Sequence, residues 1–252
     1  MGKPIRILVV DDELPVCQSV SSALAIEDYT VEMALSGEEA LEKQARSPYD
    51  VVITDLMMPG LSGMDLLRTV TRDRPETKVI MITGYPSIKS AVEATKLGAF
   101  DYIPKPFTPD ELRSLVSRAI KSKRYHETQK ITPPPGIYCM PENSWAAVEE
   151  NHRVRIGVHH LFLRTIDRVI SIELPEVGAT RYQGEVCARL HDSRGHVHKL
   201  WAPVCGVVTA INDQSGADYS SLIKDPYAEG WLFVVAPTDL ETDLKNLVKV
   251  TP

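Results

Sequence analysis

Cysteine and positive charge are both scarce in this sequence. Its 252 residues include four cysteines, whose spacing fits neither a disulfide framework nor a CxxC pair. Lysine and arginine number 28 against 34 aspartates and glutamates, which gives a formal net charge of −6, and neither half of the chain has a basic surplus. This charge balance argues against a strongly basic nucleic-acid-binding protein.

Long apolar runs are also missing. The N-terminal run Ile5–Val10 has six residues, which is too short for a signal peptide. No later stretch reaches the roughly 18 apolar residues that a membrane-spanning helix needs. Hydrophobic residues make up 43% and charged residues 25% of the chain, as in ordinary globular proteins. We therefore expect a soluble cytoplasmic protein without a membrane span.

The first 125 residues alternate between two apolar patterns. Short apolar runs typical of strands are separated by segments with helical spacing, and the clearest of these helical segments starts at Thr108 or Pro109. This repeated alternation predicts an α/β fold, a doubly wound parallel sheet with helices on both faces. The predicted strands are Ile5–Val10, Tyr29–Ala34, Val51–Thr54, Val79–Ile82 and Phe100–Ile103.

The rest of the chain has a different composition. Residues 126–136 have the sequence HETQKITPPPG, which predicts a Pro-rich, stiff and extended linker between a domain over 1–125 and a second one over 137–252. The second domain is rich in valine and isoleucine and is predicted to be β-rich, with a closing helix over Asp239–Val248. Its clearest predicted strands are Val154–Val158, Val169–Leu174, Val204–Ile211 and Trp231–Ala236.

Polar groups follow four of the strands predicted in the first domain. In chain order they are Asp11 and Asp12, Asp55, Thr83 and Lys105. The carboxyl ends of parallel strands lie at one edge of the sheet, so we expect these groups to meet there. Clustered carboxylates favour Mg²⁺, and a hydroxyl and an ammonium beside that ion suit a phosphoryl group, with Asp55 as the nucleophile. Each residue alone also fits a helix cap or a solvated loop, but their combined order favours a site.

Four segments of the first domain carry a family signature: ILVVDDE, DVVITDLMMPGLSGMDLL, VIMITGY and LGAFDYIPKPF. Through them residues 1–125 resemble the CheY-like receiver domain of two-component response regulators, in particular of the NtrC type. The resemblance implies a flavodoxin-like fold and phosphorylation of Asp55 by a sensor histidine kinase. It also implies Mg²⁺ binding, with Asp12 as a direct ligand and Asp11 acting mainly through water. Asp55 and the backbone carbonyl of Met57 would complete the shell.

The same resemblance implies a switch. Thr83 corresponds to the switch hydroxyl, Lys105 to the phosphate-binding lysine and Tyr102 to the rotating aromatic residue, while Pro106 is a candidate for a cis peptide bond. Phosphorylation adds about 1.5–2 negative charges at neutral pH, which would draw Thr83 toward the phosphoryl group and let Tyr102 turn inward. The surface of the fourth helix, fifth strand and fifth helix would then change and promote dimerisation in the phosphorylated state.

The second half also resembles a known family, the glycine cleavage system H protein, a lipoyl-domain relative built as a flattened β-barrel or sandwich. That family carries lipoate on a lysine at the tip of a β-hairpin. Counting along the resemblance, the tip falls at Asp192–Gly195, and Gly195 stands where the lysine belongs. Glycine has no amine and Lys199 lies farther along the returning strand, so we expect no lipoate. The matching segments are PENSW (141–145), IELPEVG (172–178), APVCGVV (202–208) and DPYAEGWL (225–232).

Several histidines suggest a second possibility in this half. His191, His196 and His198 flank the same predicted hairpin, and Cys187 or Cys205 could add a sulfur ligand to a zinc or haem site. However, the sequence has no HxxxH or CxxC spacing. We therefore favour solvated hairpin histidines over a metal or redox sensor.

The sequence as a whole predicts a response regulator that is not an enzyme beyond the self-catalysed phosphoryl transfer and dephosphorylation of its receiver. Signals for a helix-turn-helix, a Walker loop, a cyclase or a phosphodiesterase are absent from residues 126–252, so we expect no DNA binding. The second domain is instead expected to bind an unidentified output protein. The alternative is a phospho-regulated lipoyl carrier subunit of a glycine-cleavage-type system.

Overall fold

A computed structural model describes residues 4–25, 29–84, 88–128, 133–212 and 219–251. The chain divides into two compact units, Met1–Arg124 and Tyr125–Pro252. Among the described residues, no helix combines the length and the apolar character that crossing a bilayer requires.

The first unit contains the predicted parallel sheet with helices on both faces. Its strand order is β2-β1-β3-β4-β5, and every neighbouring pair is parallel, which confirms the doubly wound, flavodoxin-like fold. The strands are β1 (Ile5–Val10), β2 (Tyr29–Ala34), β3 (Val51–Asp55), β4 (Lys78–Thr83) and β5 (Asp101–Pro104). The helices are α1 (Leu14–Leu24), α2 (Gly37–Arg46), α3 (Gly63–Asp73), α4 (Ile88–Lys96) and α5 (Pro109–Thr128).

The central strand β1 is covered on both of its faces. Leu8 and Val10 belong to one buried apolar cluster, whereas Ile7 and Val9 belong to another. Successive side chains of a strand point to opposite faces, so helices must cover both sides of the sheet. This explains why Ile7–Val10 of β1 is a continuous apolar run.

The start of α3 fixes the backbone just after β3. Ser62 caps the helix by accepting a hydrogen bond from the amide of Asp65 at 3.3 Å. The next residue, Gly63, lies so close to β3 that a Cβ there would be 1.9 Å from the backbone oxygen of Asp55. Only glycine permits this approach, and the loop that carries Asp55 is thereby held against the helix.

Helix α5 begins with a capping box and extends beyond the first predicted domain. The Thr108 hydroxyl accepts a hydrogen bond from the Glu111 amide at 3.2 Å, and the Glu111 carboxylate accepts one from the Thr108 amide at 2.9 Å. The helix ends at Thr128, so residues 126–128 of the predicted linker are helical rather than extended. Residues 129–132 of that linker lie outside the described residues.

The second unit is β-rich and antiparallel, as predicted. One sheet has the order β10-β13-β14-β8-β7-β6-β15 and the other the order β12-β11-β9. The first part of this unit comprises β6 (Tyr138–Met140), β7 (Ser144–Val148), β8 (Val154–Val158), α6 (His160–Thr165), β9 (Val169–Glu173) and β10 (Thr180–Arg181). The remaining elements are β11 (Val186–Asp192), β12 (Val197–Trp201), β13 (Gly206–Ile211), α7 (Ser220–Lys224), β14 (Trp231–Pro237), α8 (Leu240–Leu244) and β15 (Val248–Lys249).

Two residues at the start of β7, Asn143 just before it and Ser144 within it, join the two sheets by hydrogen bonds. The side-chain oxygen of Asn143 accepts a hydrogen bond from the Trp201 amide at 2.8 Å, and the Ser144 hydroxyl donates one to the Trp201 carbonyl at 2.8 Å. Asn143 and Ser144 are both buried. The position of β12 is therefore set by buried hydrogen bonds as well as by apolar packing.

The C-terminal segment differs from the prediction. The expected closing helix over Asp239–Val248 is wrong in its second half, because α8 ends at Leu244. Val248 instead pairs with Cys139 in the larger sheet. The predicted start of this helix is confirmed, because Asp239 caps α8: its carboxylate accepts a hydrogen bond from the Thr242 amide at 3.3 Å.

Candidate functional site

The edge of the parallel sheet brings together three of the predicted site residues. Asp11 follows β1 and Asp55 ends β3, and these residues are only 3% and 7% exposed. The ammonium of Lys105, which follows β5, lies 2.8 Å from Asp11 Oδ2 and 2.7 Å from Asp55 Oδ1. The sheet therefore places two buried carboxylates around one cation, although the three residues are far apart in the sequence.

The charge of this lysine depends on its two partners. Burial alone would lower the pKa of Lys105, but its hydrogen bonds to Asp11 and Asp55, together with their charges, outweigh burial and raise that pKa. The ammonium therefore stays protonated at neutral pH and balances part of the negative charge. The balance is partial, because two carboxylates face one ammonium.

The backbone around the two carboxylates also contributes hydrogen bonds. The Met57 amide donates to Asp55 Oδ2 at 2.6 Å, and the Glu13 amide donates to Asp11 Oδ1 at 3.0 Å. The Met57 side chain is 63% exposed, and Asp12 is exposed beside the buried pair. Both oxygens of Asp55 are therefore oriented, and Asp12 faces solvent at the same edge.

The predicted switch residues lie on the neighbouring strands. Thr83 ends β4 and is fully buried. Tyr102 of β5 is buried in the same apolar cluster as Ala91 of α4, and its hydroxyl lies 3.0 Å from the hydroxyl oxygen of Ser90. The peptide bond between Lys105 and Pro106 is cis.

In the second unit, the β11–β12 hairpin carries the position where the family resemblance expects a lysine. Gly195 lies in the turn of this hairpin with φ of +86°, and a Cβ at this position would meet no heavy atom within 4 Å. Lys199 lies within β12, where it pairs with Arg189 of β11. The turn therefore presents a glycine, and the lysine nearest in sequence belongs to the strand ladder.

The hairpin histidines differ in their surroundings. His191 lies 2.8 Å from a carboxylate oxygen of Glu173 at a partly exposed position. His198 is only 4% exposed, and its Nε2 lies 2.9 Å from Asp192 Oδ2. The expectation of solvated histidines is therefore wrong for His198. Asp192, which the sequence reasoning treated as part of the hairpin tip alone, is a buried partner of two histidines, since His196 Nδ1 lies 3.3 Å from the same oxygen.

The two cysteines named as possible ligands lie elsewhere. Burial raises the pKa of Cys187 to about 12, and Cys205 contacts Gln183 and Asp243 instead. In the described part of the chain, the group of potential metal ligands on this hairpin consists of Asp192, His196 and His198. Cys187 and Cys205, which the sequence analysis considered as possible sulfur ligands, are not part of this group.

Comparison with protein families divides the chain in the same way as the fold. Residues 7–117 match the response regulator receiver domain, and residues 137–251 match the glycine cleavage H-protein. Receiver domains are typically non-enzymatic and typically bind Mg²⁺.

Individual relatives match the first domain. Regulatory protein AtoC of Escherichia coli (strain K12) is 40% identical over 116 residues, which are 46% of this chain and 25% of AtoC. DNA-binding transcriptional regulator NtrC of the same organism is 39% identical over 122 residues, which are 48% of this chain and 26% of NtrC. A crystal structure of a receiver domain protein from Clostridium thermocellum is 39% identical with a TM-score of 0.47, covering 48% of this chain and 98% of that one. The chain therefore spans about a quarter of the length of the two E. coli regulators.

Proposed function

Since residues 7–117 of this chain are a response regulator receiver domain and residues 137–251 a glycine cleavage H-protein domain, we propose that the chain is a two-component response regulator with an unusual output. Its receiver accepts a phosphoryl group from a sensor histidine kinase on Asp55. Its second domain carries no lipoate and binds an output protein. Response regulators are usually cytoplasmic, and the same location is proposed for this chain.

The observation that carries this proposal is the pairing of Asp11 and Asp55 on the ammonium of Lys105 at 2.8 and 2.7 Å. A nucleophilic carboxylate must be ionised and accessible to the donor, and the phosphoryl group that it receives needs positive charge nearby. Lys105 supplies a fixed cation within reach of Asp55, and the partly exposed sheet edge supplies access.

The proposed phosphoryl transfer involves Asp55 as the nucleophile and Lys105 as the neighbouring cation. A carboxylate oxygen of Asp55 attacks the phosphorus of the phosphohistidine in the kinase, the new O–P bond forms as the N–P bond breaks, and the histidine nitrogen takes up a proton. Lys105 stays bonded to Asp11 and neutralises charge on the transferred group. We expect the hydroxyl of Thr83, which ends β4, to move toward that charge and the ring of Tyr102 to turn in response.

The donor set at this edge fits a magnesium ion. Asp55 and the exposed Asp12 would bind the ion directly, Asp11 would act mainly through water, and the backbone carbonyl of Met57 would complete an all-oxygen set, which Mg²⁺ prefers over softer ligands. When bound, this ion would supply positive charge to the phosphoryl oxygens. The excess of carboxylate over ammonium at the site favours such binding.

The second domain supports an output without lipoate. An amide-linked lipoyl group needs a lysine amine at the hairpin turn, and Gly195 offers none. Lys199 is part of the β11–β12 ladder, and a one-residue slip to free it would turn every neighbouring side chain to the opposite face. A carrier fold that has lost its attachment point keeps a surface on which a partner can bind.

The receiver function is tested by chemical phosphorylation. We expect the full chain with Mg²⁺ and acetyl phosphate to gain one phosphoryl group by intact mass, whereas Asp55→Asn gains none. The matched control is Asp65→Asn, because Asp65 is an exposed carboxylate of α3 paired with Arg68 at 2.9 Å and stands outside the site. An unmodified wild type, or equal labelling of Asp55→Asn and wild type, would refute the assignment.

The absence of lipoate is tested by co-expression with a lipoate ligase. Intact mass should show no lipoyl adduct on this chain, while an authentic H protein expressed alongside is modified. An adduct on any lysine of residues 137–251 would favour the carrier alternative.

Dimerisation is tested by sedimentation of the chain with and without beryllofluoride, an analogue of the phosphoryl group. We expect a larger species with beryllofluoride, arising from a changed surface of α4, β5 and α5. The same sedimentation profile in both conditions would remove the dimer from the proposal.

A further inference from the structure

Three potential metal ligands lie together at the end of the β11–β12 hairpin. Asp192 ends β11, His196 immediately precedes β12, and His198 is the second residue of β12. Both imidazoles face the same carboxylate oxygen, Asp192 Oδ2. The carboxylate and the two imidazoles therefore converge, and one ligand atom of each lies within 4.8 Å of the others.

The carboxylate of Asp192 is held in one orientation by the turn. Its Oδ1 accepts hydrogen bonds from the backbone amides of Arg194 at 2.9 Å and His196 at 3.0 Å. Its Oδ2 is therefore turned toward the imidazoles, 2.9 Å from His198 Nε2 and 3.3 Å from His196 Nδ1. A cation at this point would meet an oxygen that the backbone has already positioned.

The electrostatics of the turn keep this carboxylate ionised. Burial alone would raise the pKa of Asp192, but hydrogen bonds from His198 and from the amides of His196 and Arg194 outweigh burial and lower that pKa to about 2. A buried negative charge beside two nitrogen ligands is an environment that attracts a divalent cation.

The distances suit a small tetrahedral ion. Zinc binds imidazole nitrogen and carboxylate oxygen at about 2.0–2.2 Å, so two ligand atoms of a tetrahedral site lie about 3.3–3.5 Å apart. The separation between Asp192 Oδ2 and His196 Nδ1 is 3.3 Å. The 2.9 Å contact to His198 Nε2 is a hydrogen bond, and it needs to lengthen by a few tenths of an ångström when the metal replaces the shared proton.

The surroundings hold two ligands firmly and leave one near solvent. Asp192 and His198 are buried, and the ring of Phe162 packs edge-on against His198 with centroids 6.2 Å apart. The His196 side chain is 34% exposed. An ion can therefore enter from the side of His196, and a water molecule can complete its coordination there.

We propose that Asp192, His196 and His198 form a binding site for one divalent transition-metal ion, Zn²⁺ in the first instance, with two nitrogen ligands, one oxygen ligand and a solvent molecule. Two imidazoles and one carboxylate match the borderline character of zinc better than that of Mg²⁺ or Ca²⁺, which prefer oxygen.

The test is a calorimetric titration of the full, untagged chain with Zn²⁺ in an excess of Mg²⁺, which occupies the oxygen site of the receiver. We expect one strong Zn²⁺ site per chain in the wild type. His196→Gln should weaken it about 100-fold or more, in line with the 10- to 100-fold losses caused even by removing groups behind the ligands. This variant keeps the backbone amide of residue 196, which orients Asp192. Because the side chain at this position is partly exposed, we do not expect the substitution to unfold the hairpin, and a lower Zn²⁺ affinity would reflect the lost ligand.

The matched control is His191→Gln, a histidine of the same hairpin that pairs with Glu173. It should leave the Zn²⁺ affinity unchanged within twofold. Titration with Co²⁺ provides a second readout, because the visible absorption of a four-coordinate nitrogen- and oxygen-ligated ion should appear in the wild type and in His191→Gln but not in His196→Gln. Failure of the wild type to bind one ion, or equal affinity of His196→Gln and wild type, would overturn the proposal.

Discussion

The two units of this chain each end a strand with a buried carboxylate, but they neutralise it differently. At the edge of the parallel sheet, Asp55 shares the ammonium of Lys105 with Asp11. At the hairpin, Asp192 faces two imidazoles and two backbone amides. An ammonium keeps its charge across the physiological pH range, whereas an imidazole exchanges its proton within it.

This difference determines what can change each site. The carboxylates of the receiver stand beside a permanent cation, so their charge balance changes when a phosphoryl group or a divalent ion is added. The hairpin carboxylate stands beside groups that can lose a proton, so a metal ion can take the proton's place. One arrangement suits covalent signalling and the other suits reversible ion binding.

The largest effect should come from disturbing the backbone that carries Asp55. In Gly63→Ala the new Cβ would lie 1.9 Å from the Asp55 backbone oxygen, a clash that no side-chain rotation can relieve. We expect the free energy of unfolding of the receiver to fall by about 3 kcal/mol or more, as measured by chemical denaturation, with phosphorylation reduced as well.

Gly84→Ala is the control for this change. A Cβ at Gly84 meets no heavy atom within 4 Å, so the same substitution just beyond β4 should change stability by less than about 1 kcal/mol. Equal losses in both variants would mean that the close approach of Gly63 does not hold the site.

Removing the shared cation should have the next largest effect. Lys105→Met leaves Asp11 and Asp55 facing each other, and we expect a loss of about 2–3 kcal/mol in the absence of Mg²⁺. The pKa of Lys105 is raised above its usual 10.5 by these partners. Its contribution is therefore complete below about pH 10 and is lost as the pH rises through the higher folded-state value.

Denaturation with and without Mg²⁺ checks this prediction. Magnesium should recover part of the stability lost in Lys105→Met, because the ion replaces the missing positive charge. The exposed Lys96 of α4 provides a control, since Lys96→Met should be near neutral. A Lys105→Met receiver as stable as wild type without Mg²⁺ would contradict the proposed charge balance.

A smaller, pH-dependent effect is expected at the hairpin. The folded-state pKa of Asp192 is lowered from 3.8 to about 2, so its stabilising contribution is present above pH 4 and is lost as the pH falls toward 2. We expect wild type to exceed Asp192→Asn by about 2 kcal/mol at pH 5 and by almost nothing at pH 2. A stability difference that stays constant between pH 5 and pH 2 would contradict this.

The smallest effect should come from the outer histidine without metal. His196 Nδ1 contacts Asp192 Oδ2 at 3.3 Å from a partly exposed position, so we expect His196→Gln to lower the stability of the metal-free chain by less than about 1 kcal/mol. Thermal denaturation with a chelator measures this. With Zn²⁺ present the gap between the two proteins should widen, because only the wild type is stabilised by binding.

The grouping of the acidic residues and the lysine in the receiver could be predicted from the sequence, because the ends of the strands determine where these residues lie. In a parallel sheet each strand ends at the same edge, so locating the ends of β1, β3 and β5 already brings Asp11, Asp55 and Lys105 together. No side-chain detail is needed for this step. The separate roles of Thr83 and Tyr102, in contrast, came from the family resemblance and stay predictions.

The sequence reasoning considered His196 and His198 as metal ligands but missed Asp192 as their buried partner, because the direction of that side chain depends on register. Asp192 shares its strand face with buried Leu190, and His198 shares its face with buried Leu200. That alternation was visible in the sequence and would have placed both residues inside. The pairing of β11 with β9 also shifts register between His191 and Asp192, and periodicity alone does not reveal such a shift.

The final turns of α5 have a practical consequence for anyone who expresses the receiver alone. The match to the receiver domain family ends at residue 117, yet α5 continues beyond it and buries Arg118, Ala119, Ile120 and Ser122. A fragment cut at the matched boundary would lose these side chains and leave an open apolar groove prone to aggregation. A fragment of the receiver alone should therefore extend at least to Ser122, more than one helical turn beyond the end of the family match.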